Sequence, residues 1–382
     1  MEYRSLGRTG MTVSLIGLGT EHLATRARDD VLSVVRSALD KGVNYFDLVF
    51  PLSGFREHLA FALGERRHEV LLAEHLGSLD VDGQSDRTLD GAEARAAFLK
   101  LLKKCKTGYA DVIFVHDIDR QEDYDRAVGP GGLLETAQRL QKEGLARAIG
   151  FSGHSVATAS QAIETGAVDV LMFPINLSGH SVAGKRTLFE ACASRGVGLV
   201  GMKPFAGGKL LATERTMAMD AGQRGGAPLE IERRVTITPV QCLAYALSQP
   251  GICTVVAGCT AAGEVATALR VLTASARERD FADVLSDFAQ FISGECVYCN
   301  HCLPCPVGID IGRTISLLDR ARGHPTAEHL ASYSVHPCQA SQCVECGACN
   351  ERCPFGVDAV ARVMQAADVF EGAGASRESE ER

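Results

Sequence analysis

The chain has 382 residues, 46% of them hydrophobic, with a formal net charge of −8 at neutral pH. That length predicts one large domain plus a small one. The acidic balance, with no basic run, predicts no nucleic-acid partner. No stretch reaches the ~18 continuous apolar residues of a spanning helix, so no membrane partner is expected. MEYRSLGRTG at the start lacks the apolar core of an export signal, which predicts a cytoplasmic protein.

Short apolar runs read as strands at 13–19, 43–48, 70–76, 111–117, 146–153, 168–176, 196–205 and 254–258. Stretches with helical periodicity lie between them. DDVLSVVRSALDKG and ARAAFLKLLKKCKTG each end in Gly, as helices often do. TPVQCLAYALSQPG opens with Thr238 as N-cap and Pro239 at the first helical position. Eight strands with helices between them fit a closed (β/α)8 barrel, an α/β fold of about 250 residues. An open doubly wound sheet is the rival, but no G-x-G-x-x-G follows the first strand. Residues 77–91 and roughly 210–237 read as long polar loops of the binding kind.

Nine of the 14 cysteines crowd between Cys296 and Cys353. CVYCNHCLPCP (296–306) and CVECGACNERCP (343–354) each place three cysteines at x2 spacing before a Cys-Pro. A [4Fe–4S] cluster takes three thiolates from such a run and its fourth from a distant Cys-Pro. On that pattern Cys296, Cys299, Cys302 and Cys353 hold one cluster, and Cys343, Cys346, Cys349 and Cys305 hold a second. The first run is one residue short before Cys305. Zinc is the alternative, but zinc sites use pairs of cysteines rather than triplets. Cys338 fits neither pattern and reads as a bystander. IDIGRTISLLDRARG between the runs is helical. The expected organisation is therefore a barrel over 1–290, a small α-helical ferredoxin-like domain over 291–370 and a disordered tail over 371–382.

The opening YRSLGRTGMTVSLIGLGT resembles the start of the aldo/keto reductases. GVNYFDLVFPLSGFREHLAFALG, YADVIFVHD, AIGFSGHS and MKPFAGGKLL resemble later segments of that family, in order, over residues 1–290. With the cysteine runs behind it, the chain resembles the iron–sulfur branch of the family. The resemblance implies a TIM barrel that binds a small-molecule substrate. Ordinary members carry Asp, Tyr, Lys and His, with Tyr giving a proton to a carbonyl as NADPH delivers hydride. Here the Asp position falls on Asp47 and the His position on His116, while Leu52 and His75 stand at the Tyr and Lys positions. Of the nicotinamide contacts Ser152 is kept, and Gly153, Met172 and Met202 stand at the others.

Strand ends on the C-terminal face of a barrel carry function. They offer His22, Asp47, His75, His116, His154, Asn176 and Lys203. Imidazole exchanges protons near neutral pH, so His116, beside Asp47 and His75, is the expected acid or base. A metal held by the histidines, or plain hydrogen-bonded strand ends, are the alternatives. Gly207 and Gly208 with Lys203 and Lys209 suit a phosphate-bearing ligand, and Ser152 and Asn176 complete the cofactor set. Clusters pass single electrons, whereas a nicotinamide takes a hydride, so the expected cofactors are two [4Fe–4S] clusters with NAD(P) or a flavin. Three functions follow: an oxidoreductase whose barrel works with the clusters, an electron-transfer scaffold that docks a redox partner protein, or a metal-dependent barrel enzyme that uses the histidines.

Overall fold

A computed structural model of the chain describes residues 1–180, 182, 184–211, 217–219, 229–231, 237–282, 284, 296, 298, 302–321, 325–353 and 356–372. Two compact units result. One comprises Met1–Ser78 and Thr88–Phe291, the other Leu79–Arg87 and Ile292–Arg382.

The first unit is a closed barrel of eight parallel strands. A hairpin of β1 (Tyr3–Ser5) and β2 (Thr12–Ser14) precedes it. The barrel strands are β3 (Ile16–Gly19), β4 (Tyr45–Leu48), β5 (Leu71–Leu76), β8 (Ala110–Val115), β9 (Ala146–Ser152), β10 (Val170–Pro174), β11 (Gly198–Met202) and β14 (Ile252–Gly258). They pair in that order around the ring, with β14 closing against β3. All eight lie where the apolar runs predict strands. Helices fill the connections, among them Arg28–Asp40, Gly91–Lys104 and Pro239–Leu247. Thr238 and Gln241 form a capping box on the last of these, in which the Thr hydroxyl accepts from the Gln241 amide.

Strand alternation decides what faces inward. Tyr45, Ala73, Val112, Phe114, Ala148, Val170, Met172 and Val200 form one buried cluster with Leu6, Met11 and Val13 from the leading hairpin. Continuing the same parity brings Asp47, His75 and His116 to the inward side of adjacent strand ends. The opposite parity of β5 turns Glu74 outward, where Arg56 of the helix Ser53–Leu63 meets it at 2.9 Å.

Residues 77–91 are not a plain loop. They contain an antiparallel pair, β6 (Ser78–Val81) and β7 (Gln84–Arg87). Asp82 and Gly83 link them at φ 51° and 79°. A two-residue Asp-Gly turn with both φ positive is a strong hairpin device, and Gly83 supplies the second positive φ without strain. In the other long segment, β12 (Met217–Met219) pairs with β13 (Leu229–Ile231), and most of the remainder lies outside the described residues.

The second unit packs Ile311, Ile315, Leu318, Tyr333, Val363 and Phe370 around Cys305 and Cys349. Its helices include Ile311–Ala321, Ala327–Ser334 and Ala359–Phe370. Among the described residues no helix is long and apolar enough to cross a membrane. Residues 373–382 of the expected tail lie outside the described residues.

Candidate functional site

Asp47, His75 and His116 form one hydrogen-bonded chain. His75 Nε2 lies 2.9 Å from Asp47 Oδ1, and His75 Nδ1 lies 3.0 Å from His116 Nδ1. All three are buried. The carboxylate only accepts, so Nε2 of His75 carries the proton it donates to Asp47. His75 Nδ1 is then the acceptor, and His116 donates to it from Nδ1. In neutral His116 the remaining nitrogen, Nε2, carries the lone pair. Phe114 packs on His75 with ring centroids 5.1 Å apart, and the two imidazoles meet edge-on at 4.9 Å.

Packing behind the strands holds this chain. Arg56 is fully buried and donates from Nη2 to Leu48 O at 2.6 Å and to Glu74 Oε2. It thereby ties the residue after Asp47 to the residue before His75. Burial raises the Glu74 carboxyl above its ordinary range, and the Arg56 charge opposes that rise.

A second chain gathers residues from the segments that follow β11, β9 and β8. Lys203 Nζ lies 2.7 Å from His154 Nε2, and His154 Nδ1 lies 2.8 Å from Asp119 Oδ2. Asp119 also accepts from the backbone amides of His154 and Ser155. Burial pushes the Asp119 carboxyl up, but His154 and these amides outweigh it and hold the carboxyl below its usual range. Asp117, Asp119 and His154 bring three potential ligand atoms within 4.8 Å of one another. The Lys203 ammonium already supplies positive charge on the far side of that imidazole. The chain formed by Asp47, His75 and His116 offers no such three-atom convergence among the described residues.

Glu21, just after β3, is half-buried at the surface yet deep enough that burial raises its carboxyl; Lys203, His154 and His22 pull it down and Asp47 pushes it up. The sequence reading missed Glu21 and Asp119. Both lie just past strand ends, the one signal that pointed to them.

The expected cofactor residues are engaged within the protein. Ser152 Oγ accepts from the Asp117 amide at 3.1 Å and donates to Val115 O at 3.4 Å. Asn176 donates from Nδ2 to Lys203 O, and its Oδ1 accepts from Ser178 Oγ and Gly179 N. Gly207 and Gly208 sit within the turn Ala206–Leu211 at φ 66° and 88°. Leu52, expected at the family's Tyr position, directly precedes the helix Ser53–Leu63.

In the second unit a cleft of about 380 Å³, including its open side, is lined by Cys305, Cys343, Cys346 and Cys349 among Pro304, Val307, Ile309, Ile311, Val360 and Val363. Among the described residues, backbone amides donate to sulfur from Tyr298 to Cys296 at 3.3 Å, from Glu345 to Cys343 at 3.4 Å and from Val357 to Cys353 at 3.4 Å. Tyr298 and Glu345 both have positive φ, at 55° and 50°, so the two runs turn alike two residues after their first Cys. Tetrahedral zinc, with Zn–S ~2.3 Å, brings its sulfurs ~3.8 Å apart. Among the described residues no three thiols lie within 4.8 Å of one another. The soft thiol donors suit zinc or an iron–sulfur group. Cys299 lies outside the described residues. Cys338 donates from Sγ to Val307 O at 2.6 Å and packs on this core.

Comparison with known proteins gives the barrel its relatives. The chain is 26% identical over 218 residues to L-galactose dehydrogenase of Arabidopsis thaliana, covering 55% of this chain and 67% of that protein. It is 25% identical over 249 residues to pyridoxal 4-dehydrogenase of Microbacterium luteolum, covering 55% and 72%. The holo form of an aldo-keto reductase from Bacillus halodurans superposes with a TM-score of 0.59 at 20% identity, over 76% of this chain and 97% of that one, which shows the shared fold. The sequence profile of the aldo/keto reductase family matches residues 15–286, and the chain is an oxidoreductase belonging to that family.

Proposed function

We propose that the barrel interconverts an alcohol and a carbonyl on a small organic substrate, with His116 as the acid–base group in place of the family's Tyr. The chain from Asp47 through His75 to His116 carries this reading. In the oxidising direction His116 Nε2 takes the hydroxyl proton. Asp47, through His75, stabilises the imidazolium that results. In the reducing direction the same nitrogen returns the proton to the carbonyl oxygen. Leu52 has no proton to give. The two dehydrogenases similar to this chain bear names that fit alcohol or aldehyde chemistry.

The second unit holds the redox groups. Two [4Fe–4S] clusters fit its thiols: Cys296, Cys299, Cys302 and Cys353 for one, and Cys343, Cys346, Cys349 and Cys305 for the other. When bound, they supply single-electron transfer. The cleft lined by the second set and the amide-to-sulfur bonds support this, since hydrogen bonds to sulfur tune such centres. NAD(P) or a flavin would supply the two-electron chemistry, taking the carbinol hydride in oxidation and returning it in reduction, and a redox partner protein is the alternative electron carrier. To contact a nicotinamide, Ser152 and Asn176 would add to or exchange the partners they now hold within the protein. Gly207 and Gly208, with Lys203 and Lys209, suit a phosphate.

Anaerobically purified protein is expected to hold about eight irons and eight sulfides per chain; one or two zincs in their place would remove the cluster reading. His116→Gln is expected to lower turnover by ~10²–10⁴-fold while leaving iron content and unfolding unchanged. Wild-type turnover in that variant would overturn the assignment of His116.

A further inference from the structure

We propose that Gln84, on the hairpin of β6 and β7, is the positioning residue for Cys305, gripping the Cys305 backbone so that its thiol stays in the wall of the four-thiol cleft. The Cys305 amide donates to Gln84 Oε1 at 3.2 Å, and Gln84 Nε2 reaches Cys305 O at a longer 3.5 Å. A primary amide is the one side chain that offers an acceptor and a donor side by side, matching the N–H and C=O of a single residue. Both groups belong to the same compact unit, although 221 residues separate them in sequence.

The local sequence explains why an outside grip is needed. Cys305 stands between Pro304 and Pro306, which have no N–H. Within those three residues only Cys305 has an amide hydrogen, and Gln84 takes it. Arg352 holds the same segment from another side, donating from Nη1 to Pro304 O at 2.7 Å. Cys296, Cys343 and Cys353 accept amides from two or four residues along their own loops. The Cys305 carbonyl accepts locally from the Gly308 amide at 3.0 Å, but the Cys305 amide itself is taken by Gln84 from far along the chain. Its run also lacks the extra residue that precedes Cys353 in the second run, so it has less slack with which to find its place. The hairpin is the insertion that follows β5, the strand that carries His75.

The inference rests on the reading of the cleft as a cluster site, and the test separates the two. Full-length wild type, Gln84→Ala, Gln84→Glu and Ser85→Ala would be purified anaerobically and reconstituted with iron and sulfide. Iron and sulfide per chain and the EPR spectrum after dithionite reduction would be measured. On chelator-stripped protein, the rate of iodoacetamide labelling at Cys305 would be followed by peptide mass spectrometry. Gln84→Ala should fall from about eight irons to about four, because one cluster loses a ligand's placement. Its Cys305 should label several-fold faster, since the thiol is buried in the wild type. Gln84→Glu, whose carboxylate still accepts the Cys305 amide, should stay near the wild-type iron content, as should Ser85→Ala. Wild-type iron, EPR and labelling in Gln84→Ala would overturn the proposal. A wild type without iron would remove the cluster reading, while the labelling comparison would still decide whether Gln84 places Cys305.

Discussion

The barrel and the second unit place their reactive groups by different means. In the barrel, Asp47, His75 and His116 meet because three adjacent strands share one inward parity, and buried partners such as Arg56 lock the strand ends. In the second unit, most of the described cysteines sit on short irregular loops, with Cys349 in the short helix Ala348–Arg352; positive-φ residues, amide-to-sulfur bonds and the Gln84–Cys305 hydrogen bond accompany them. Register and burial therefore set the barrel site, and individual loop contacts set the thiol site. Barrel variants should change stability, pH response and turnover at constant iron. Loop variants should change iron.

The largest test of that contrast is Arg56→Met. It leaves the Glu74 carboxyl in a fully buried place without its cation. Breaking a buried pair from one side costs about 3–5 kcal/mol. Denaturant unfolding should show that loss, and adding Glu74→Leu should recover most of it, because an apolar pair needs no charge compensation. If Arg56→Met unfolds like the wild type, burial is not what holds the barrel's polar residues.

A pH titration gives the next effect. Lys185 is 5% exposed, donates to Gly179 O at 3.1 Å, and burial brings its ammonium down to about 8. The unfolded value is ~10.4, so between those two values the unfolded chain binds more protons than the folded one. The contribution of Lys185 to stability should therefore rise as pH increases from ~8 to ~10.4, by on the order of 3 kcal/mol. The buried thiols of Cys105, Cys192 and Cys259, pushed up to about 12, act with the opposite sign over that range. The stability of the wild type minus that of Lys185→Met isolates the lysine and should rise across the window; a difference that falls would show that the ammonium is stabilised in the fold.

Much of this contrast can be read from the sequence, and its limits are physical. All eight barrel strands announce themselves as apolar runs, because strands covered on both faces need continuous apolar residues. Period-two alternation then points Asp47, His75 and His116 the same way. The hairpin within 77–91 was missed, although Val-Asp-Gly-Gln carries the Asp-Gly turn; its strands are short and polar and give no apolar signal. Arg56 with Glu74, Asp119 with His154, and Gln84 with Cys305 are pairings between distant segments. No local pattern encodes such partners.

The smallest effect is also the most local. Gly150, on β9, leaves room for Phe114. A Cβ there would lie 2.3 Å from Phe114 Cδ1 and 2.4 Å from Cε1. Phe114 is fully buried and packs on His75, so Gly150→Ala must push the ring toward the proton chain or strain the strand. Overpacking of this kind costs about 1–3 kcal/mol. A 1 Å misplacement at a site costs as much as ~10²-fold in rate, so turnover should fall by roughly tenfold. Iron should not change, because register rather than loop contact is disturbed. Adding Phe114→Leu, which frees the crowded volume, should restore part of the stability and, if the ring only crowds His75, part of the turnover. A Gly150→Ala protein that turns over like the wild type would show that the His75 ring does not depend on Phe114 for its place, and the barrel site would then owe its geometry to the hydrogen bonds of Asp47 and His116 alone.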